Sequence, residues 1–201
     1  MPMHVAVAVS GRGTNLEALL HALGPGAPAR VVLVLSNRAD AAALHRAAGR
    51  GIATVTLRDP ADSGEWLSAL ERYGADLLVL AGYLKLVPAE VIDRYRGRIL
   101  NVHPALLPAF GGPGMYGRRV HEAVLASGAR ESGATVHLVD EVYDRGAILG
   151  QARVPVLAGD DPETLAARVL EAEHRLLPAA VLAAAAAGRP VPLPEFAESN
   201  P

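Results

Sequence analysis

The chain has 201 residues, 51% of them hydrophobic and only 4% aromatic, with a formal net charge of -2 and no cysteine. The missing thiols exclude disulfides and thiolate zinc sites, and the weak charge and scarce aromatics remove the electrostatic and stacking bases for nucleic-acid binding. No apolar run approaches the ~20 residues of a membrane span, and the start Met1-Pro2-Met3-His4 lacks an export signal's basic region and cleavage site, so the expectation is a cytoplasmic protein with one domain over 1–188 and an irregular tail over 189–201.

Residues 5–9 are a valine-rich run, the pattern of a strand buried on both faces of a parallel sheet. Ser10-Gly11-Arg12-Gly13-Thr14-Asn15 follows, and then the helical spacing of Leu16, Leu19 and Leu20. A glycine turn between strand and helix lets backbone N–H groups converge on an anion at the helix's positive end. The Gly-Lys-Ser/Thr ending of a P-loop is missing, and Leu16 stands at the third glycine position of the dinucleotide fingerprint. Two readings are open: a plain tight turn, or a phosphate-monoester site to which Thr14 and Asn15 add hydroxyl and amide donors.

Apolar runs at 31–35, 53–57 and 76–80 continue the strand pattern. Between them lie a helix ending near Arg50, with Gly51 as its cap, and a helix over 65–73. This alternation implies a parallel sheet with right-handed crossovers. Ala81-Gly82-Tyr83-Leu84-Lys85-Leu86-Val87 is apolar where a connecting loop should be polar; it is either core filler or the wall of a pocket for a flat ligand. A short helix over 88–95 and a fifth strand over 98–102 lead to Asn101-Val102-His103-Pro104. Side chains two apart on a strand share a face, so an amide and an imidazole would project together where open α/β sheets build their sites. The competing reading is a capped turn with a hydrogen-bonded histidine.

Residues 109–117 hold four glycines and a proline and must form a loop. A helix over 118–127 carries His121, and 135–139 alternates as an antiparallel, half-exposed strand would. An acidic loop over 140–146 and a strand over 147–156 follow. Asp161 and Pro162 start a helix that runs to about 187, which Pro178 is expected to interrupt or kink. The fold class is therefore α/β: a Rossmann-like open, mostly parallel sheet with helices on both faces and an antiparallel C-terminal extension. His4, His21, His45 and His121 read as structural residues on element surfaces, and so does His174; His137, beside the acidic loop, has a supporting role open to it.

Four motifs, Ser10-Gly11-x-Gly13-Thr14-Asn15, Leu80-Ala81-Gly82-Tyr83, Asn101-Val102-His103-Pro104-x-Leu106-Leu107-Pro108 and Val136-His137-x-Val139-Asp140-Glu141-x-x-Asp144, give the chain a resemblance to the phosphoribosylglycinamide formyltransferases over most of 5–190. The third motif is shared across folate formyltransferases, including methionyl-tRNA formyltransferases and formyltetrahydrofolate deformylases; the first, with the short length, points to the ribonucleotide enzymes. The resemblance implies catalytic roles for Asn101, His103 and Asp144. It implies phosphate and ribose binding by Gly13, Thr14, Asn15 and Glu173, and folate binding by Leu84, Lys85, Leu86, Val87, Asn101, Asp140, Glu141 and Asp144. It implies 10-formyltetrahydrofolate as co-substrate, no metal, small-molecule substrates in place of nucleic acid or membrane, and a monomer or homodimer. Two departures stand out. Gly64 occupies the position where the family often has an arginine on the folate tail, with Arg58 and Lys85 as candidate replacements, and the Gly111–Gly117 insert matches only one branch of the family.

The implied reaction moves a formyl group from N10 of the folate to the glycinamide amine. Asn101 and a protonated His103 would stabilise the oxyanion, and Asp144 would orient His103 and favour its charged form. Two other functions are weighed against it: a deformylase that passes the formyl group to water, and a non-catalytic nucleotide-binding module.

Overall fold

The computed structural model describes residues 1–194. The valine-rich and leucine-rich runs become parallel strands: β1 (Met3–Val9), β2 (Ala29–Ser36), β3 (Ala53–Thr56), β4 (Leu77–Leu80) and β5 (Ile99–His103). Two antiparallel strands, β6 (Glu131–Leu138) and β7 (Ile148–Pro155), extend the sheet in the order β3-β2-β1-β4-β5-β6-β7. Period-two alternation divides β1 between two cores: Val5, Val7 and Val9 join one, while Ala6 and Ala8 join the other.

The first core is closed by α1 (Thr14–Ala22), α2 (Ala42–Ala48), α5 (Arg118–Ala126) and α6 (Pro162–Ala187). The second is closed by α3 (Ser63–Arg72) and α4 (Ala89–Arg94), with Trp66 fully buried and edge-on to Tyr83. Helices thus cover both faces, as the patterning required. α6 opens with a capping box between Asp161 and Thr164 and closes at Gly188, whose φ of 71° suits the left-handed cap. Of the interruption or kink expected at Pro178, the interruption does not occur: the helix continues through it. Pro178 cannot bond the carbonyl one turn back, but it is buried together with Leu176, Leu177, Ala180 and Val181. Burial of that face offsets the ~3 kcal/mol a helical proline costs.

After α6 the tail has no helix or strand to residue 194, yet it is held: the Leu193 N–H donates to the Leu149 carbonyl at 2.7 Å, and its side chain packs over Gly150. The rest of the expected irregular tail, 195–201, lies outside the described residues.

Two features of the fold position the site. Chain order reverses at β1, which lies between β2 and β4, so a crevice opens beyond the carboxyl ends of β1 and β4. The loops there are tied together: the Ser10 N–H donates to the Gly82 carbonyl at 3.1 Å, and Ser10 Oγ accepts from the Leu84 N–H at 2.9 Å. The segment after β5 is also clamped. Thr135 Oγ1 donates to the Ala105 carbonyl at 2.6 Å and accepts from the Leu107 N–H at 3.0 Å, while Gln151 donates to the Leu107 carbonyl at 2.8 Å. Gly133 of β6 permits this approach, because a Cβ there would lie 2.1 Å from the Ala152 carbonyl oxygen and 2.7 Å from Leu106 Cδ2. Gly133→Ala should therefore cost at least about 3 kcal/mol, the upper range for overpacking, read as a lower urea midpoint. An unchanged midpoint would mean that the β6–β7 edge is more pliant than its packing indicates.

Candidate active site

The backbone ladder decides which side chains meet. Asn101 lies opposite His137, and His103 opposite Thr135, across the β5–β6 pair. Asn101 Nδ2 is 3.0 Å from His137 Nε2, and His137 Nδ1 is 2.8 Å from the Leu138 carbonyl. A carbonyl can only accept, so the proton sits on His137 Nδ1 and Nε2 accepts from Asn101. One Asn101 N–H is thereby fixed, and the other remains for a ligand.

His103 is 3% exposed. Its Nε2 is 2.8 Å from the Phe110 carbonyl, and its Nδ1 is 3.6 Å from Asp144 Oδ2. The same acceptor logic places a proton on Nε2 and leaves the Nδ1 lone pair beside the carboxylate. Burial pushes the imidazole's pKa down, outweighing the upward pulls of Asp144 and the Phe110 carbonyl. The unliganded protein thus carries a neutral His103 near pH 7, and the charged form expected of this residue during transfer must be gained there against desolvation that a motif does not convey.

Asp144 reaches the histidine from the 140–146 loop with a φ of 55°, in the left-handed region. Its Oδ2 accepts from the Gly112 N–H at 2.8 Å, and its Oδ1 lies 3.5 Å from His137 Nε2. Burial pushes its pKa up, but the Gly112 N–H opposes this and the net value lies below the ordinary one, so it remains a carboxylate. The glycine-rich 109–117 segment therefore touches both partners, through Phe110 and Gly112.

These groups open on a cavity of about 720 Å3. Leu84, Lys85, Leu86 and Val87 line one side; Leu84 and Leu86 are 51% and 58% exposed, an apolar wall left largely uncovered by the described residues. Asp140 lines it as well, but Glu141 does not: its carboxylate bonds Arg96 on the outer surface at 2.6 Å. Of the two candidates to replace an arginine at Gly64, Lys85 lines the cavity, while Arg58 is engaged by Glu65 at 2.6 Å.

At the glycine turn, Gly13 has a φ of 75°, and a Cβ there would lie 2.5 Å from the Ala43 Cβ. The turn thus requires glycine twice over, for its backbone angle and for its packing on α2. Arg12 is exposed and lines the cavity; Gly13, Thr14 and Asn15 are not among its lining residues. The Asn15 amide, expected as a free anion donor, instead donates to Glu173 Oε2 at 2.5 Å. Sequence reasoning left out Arg12, His121 and a definite role for His137. The position of Arg12 between two turn glycines was the available signal for the first.

Glu173 is buried on α6 and lines the cavity. Burial pushes its pKa from an ordinary 4.5 up to about 7, against the Asn15 hydrogen bond that lowers it. The folded protein therefore retains a proton that the unfolded chain gives up near pH 4.5, and stability falls as pH rises from there through 7, by at most about 3 kcal/mol. Thermal melts from pH 5 to pH 8 should show this fall, and Glu173→Gln should flatten it. Equal slopes in the two proteins would place the titration elsewhere.

Among the described residues, no group of three or more His, Cys, Asp or Glu is arranged to hold a metal ion, and no helix is long and apolar enough to cross a membrane.

Residues 3–181 match the family model described as formyl transferase, and the chain belongs to that family. Within it, the similarity is to phosphoribosylglycinamide formyltransferases. The chloroplastic one of Arabidopsis thaliana is 47% identical over 180 residues, 86% of this chain and 62% of that protein. The one from Escherichia coli K12 is 38% identical over 184 residues, 88% of this chain and 84% of that protein. The crystal structure of the Anaplasma phagocytophilum protein of that name superposes with a TM-score of 0.87 at 36% identity, covering 93% of this chain and 88% of the other. The chain thus spans less than two thirds of the Arabidopsis relative and most of the bacterial ones.

Proposed function

We propose that this protein transfers the formyl group of 10-formyltetrahydrofolate to the amine of N1-(5-phosphoribosyl)glycinamide, a step of de novo purine (IMP) synthesis, with residues 1–188 as the formyltransferase domain. The observation that carries this reading is the meeting of Asn101, His103 and Asp144 at the end of β5, where they open on a cavity that the apolar Leu84–Val87 segment and Arg12 of the glycine turn also line.

In the proposed step, the glycinamide nitrogen attacks the formyl carbon, and the carbonyl electron pair moves onto oxygen. The free N–H of Asn101 stabilises that oxyanion, a contribution of roughly 3 kcal/mol for a well-placed donor. The attacking nitrogen loses a proton to His103 Nδ1, the nitrogen whose lone pair the Phe110 carbonyl leaves free. Asp144 stabilises the resulting imidazolium. Collapse of the adduct breaks the C–N10 bond, and the same proton passes to N10. A neutral imidazole suits the first half of this cycle and an imidazolium beside a carboxylate the second.

The folate packs on Leu84, Lys85, Leu86 and Val87, with Asp140, Glu141 and Asp144 around its pterin end; the Glu141 carboxylate bonds Arg96, so its contribution would have to come from the backbone. Phosphate binds the Gly13, Thr14 and Asn15 turn through backbone N–H groups and the α1 dipole, and Glu173 takes the ribose hydroxyls. The protein acts in the cytoplasm as a monomer or homodimer on small molecules. The test is to supply 10-formyltetrahydrofolate with and without the ribonucleotide and follow tetrahydrofolate release. Release that depends on the ribonucleotide is expected. Equal release without it would indicate a deformylase, and none in either case a binding module.

A further inference from the structure

α5 and α6 form one wall of the cavity, lined by Arg118 and His121 from the first and by Leu170 and Glu173 from the second. His121 was expected on an exposed surface but is only 4% exposed. Its Nδ1 is sealed in the protein with no hydrogen-bond partner among the described residues. A buried unpaired N–H is rarer and more costly than an unpaired lone pair, so the ring proton belongs on Nε2. The ring's small remaining exposure is toward the cavity that it lines. Charging the ring would add a proton to the sealed Nδ1, and burial, with His103 nearby, pushes the pKa down. His121 is therefore a neutral imidazole that presents one fixed N–H donor to the cavity.

Resting on the formyl-transfer reading above, we propose that His121 is a specificity residue for the ribonucleotide, donating its Nε2–H to the carbonyl oxygen of the amide between ribose and glycyl amine. His103, where the amine would react, and Glu173, assigned to the ribose, line the same cavity as His121. The covalent path from ribose to amine contains only that amide and one methylene, and the amide carbonyl is the only strong acceptor along it. A neutral donor also recognises the carbonyl without placing a cation beside His103, which would oppose proton uptake at Nδ1.

Steady-state kinetics on the full chain test this. His121→Leu should raise the KM for the ribonucleotide by about tenfold or more and leave the KM for 10-formyltetrahydrofolate within about twofold. His121→Gln, whose amide can donate, should restore most of the loss. An unchanged ribonucleotide KM in His121→Leu, or an equal rise in both KM values, would overturn the proposal. The wild-type protein gives a second readout that no folding defect can obscure. Histidine-ring 15N NMR should find His121 protonated on Nε2, with that N–H moving downfield as ribonucleotide is added. Protonation on Nδ1, or no movement at saturating ribonucleotide, would equally overturn it. Absence of turnover by the wild type counts against formyl transfer itself, and the NMR titration still decides whether His121 holds the ribonucleotide.

Discussion

Replacing His103 with alanine is expected to slow formyl transfer by at least about 100-fold, the scale of a lost general acid–base group, with both KM values within a few-fold of wild type. The ring is held at Nε2 by the Phe110 carbonyl, its Nδ1 lies beside Asp144, and in the proposed step it takes the amine's proton and returns it to N10. Asn101 and the cavity walls are untouched by the change, so binding and oxyanion stabilisation persist and the loss appears in kcat. Added imidazole should recover part of the rate, because the substitution leaves a ring-sized void that opens on the cavity. A loss smaller than about tenfold, with no rescue, would mean that another group carries the proton.

Asp144→Asn should lower kcat by about 100-fold, on the scale of removing one partner from a buried charge pair. The amide oxygen can still accept from the Gly112 N–H, so the loop stays anchored and melting should change little. What disappears is the charge that favours the imidazolium. Asp144 pulls the pKa of His103 up against burial; without it, burial acts with less opposition and the pKa falls further. The acid limb of kcat/KM, where His103 becomes protonated and ceases to be a base, should therefore move to lower pH in the variant. A limb that stays in place while kcat falls would assign Asp144 a steric role only.

Much of this was legible in the residues. The valine-rich run, the strand–helix rhythm and glycine punctuation pointed to a parallel sheet, though not to its strand order, and the two-residue spacing of Asn101 and His103 put them on one face. What was not legible depends on long-range pairing or on desolvation. Asn15 and Glu173 are 158 positions apart and meet only because α1 packs on α6. His137 stands beside Asn101 through an antiparallel register that no local pattern specifies. The neutrality of His103 follows from burial that the motif does not encode. The position of His121 left a trace: it lies three residues before Val124, on the buried stripe that also holds Val120, so helical spacing alone would have turned it inward.

The most direct measurement follows the formyl carbon itself. With 10-formyltetrahydrofolate labelled at that carbon with 13C and with the ribonucleotide present, 13C NMR should show the label moving into the N-formylglycinamide product at the rate at which tetrahydrofolate appears. Label collecting as free formate, or remaining on the folate while both substrates are bound, would contradict the transfer.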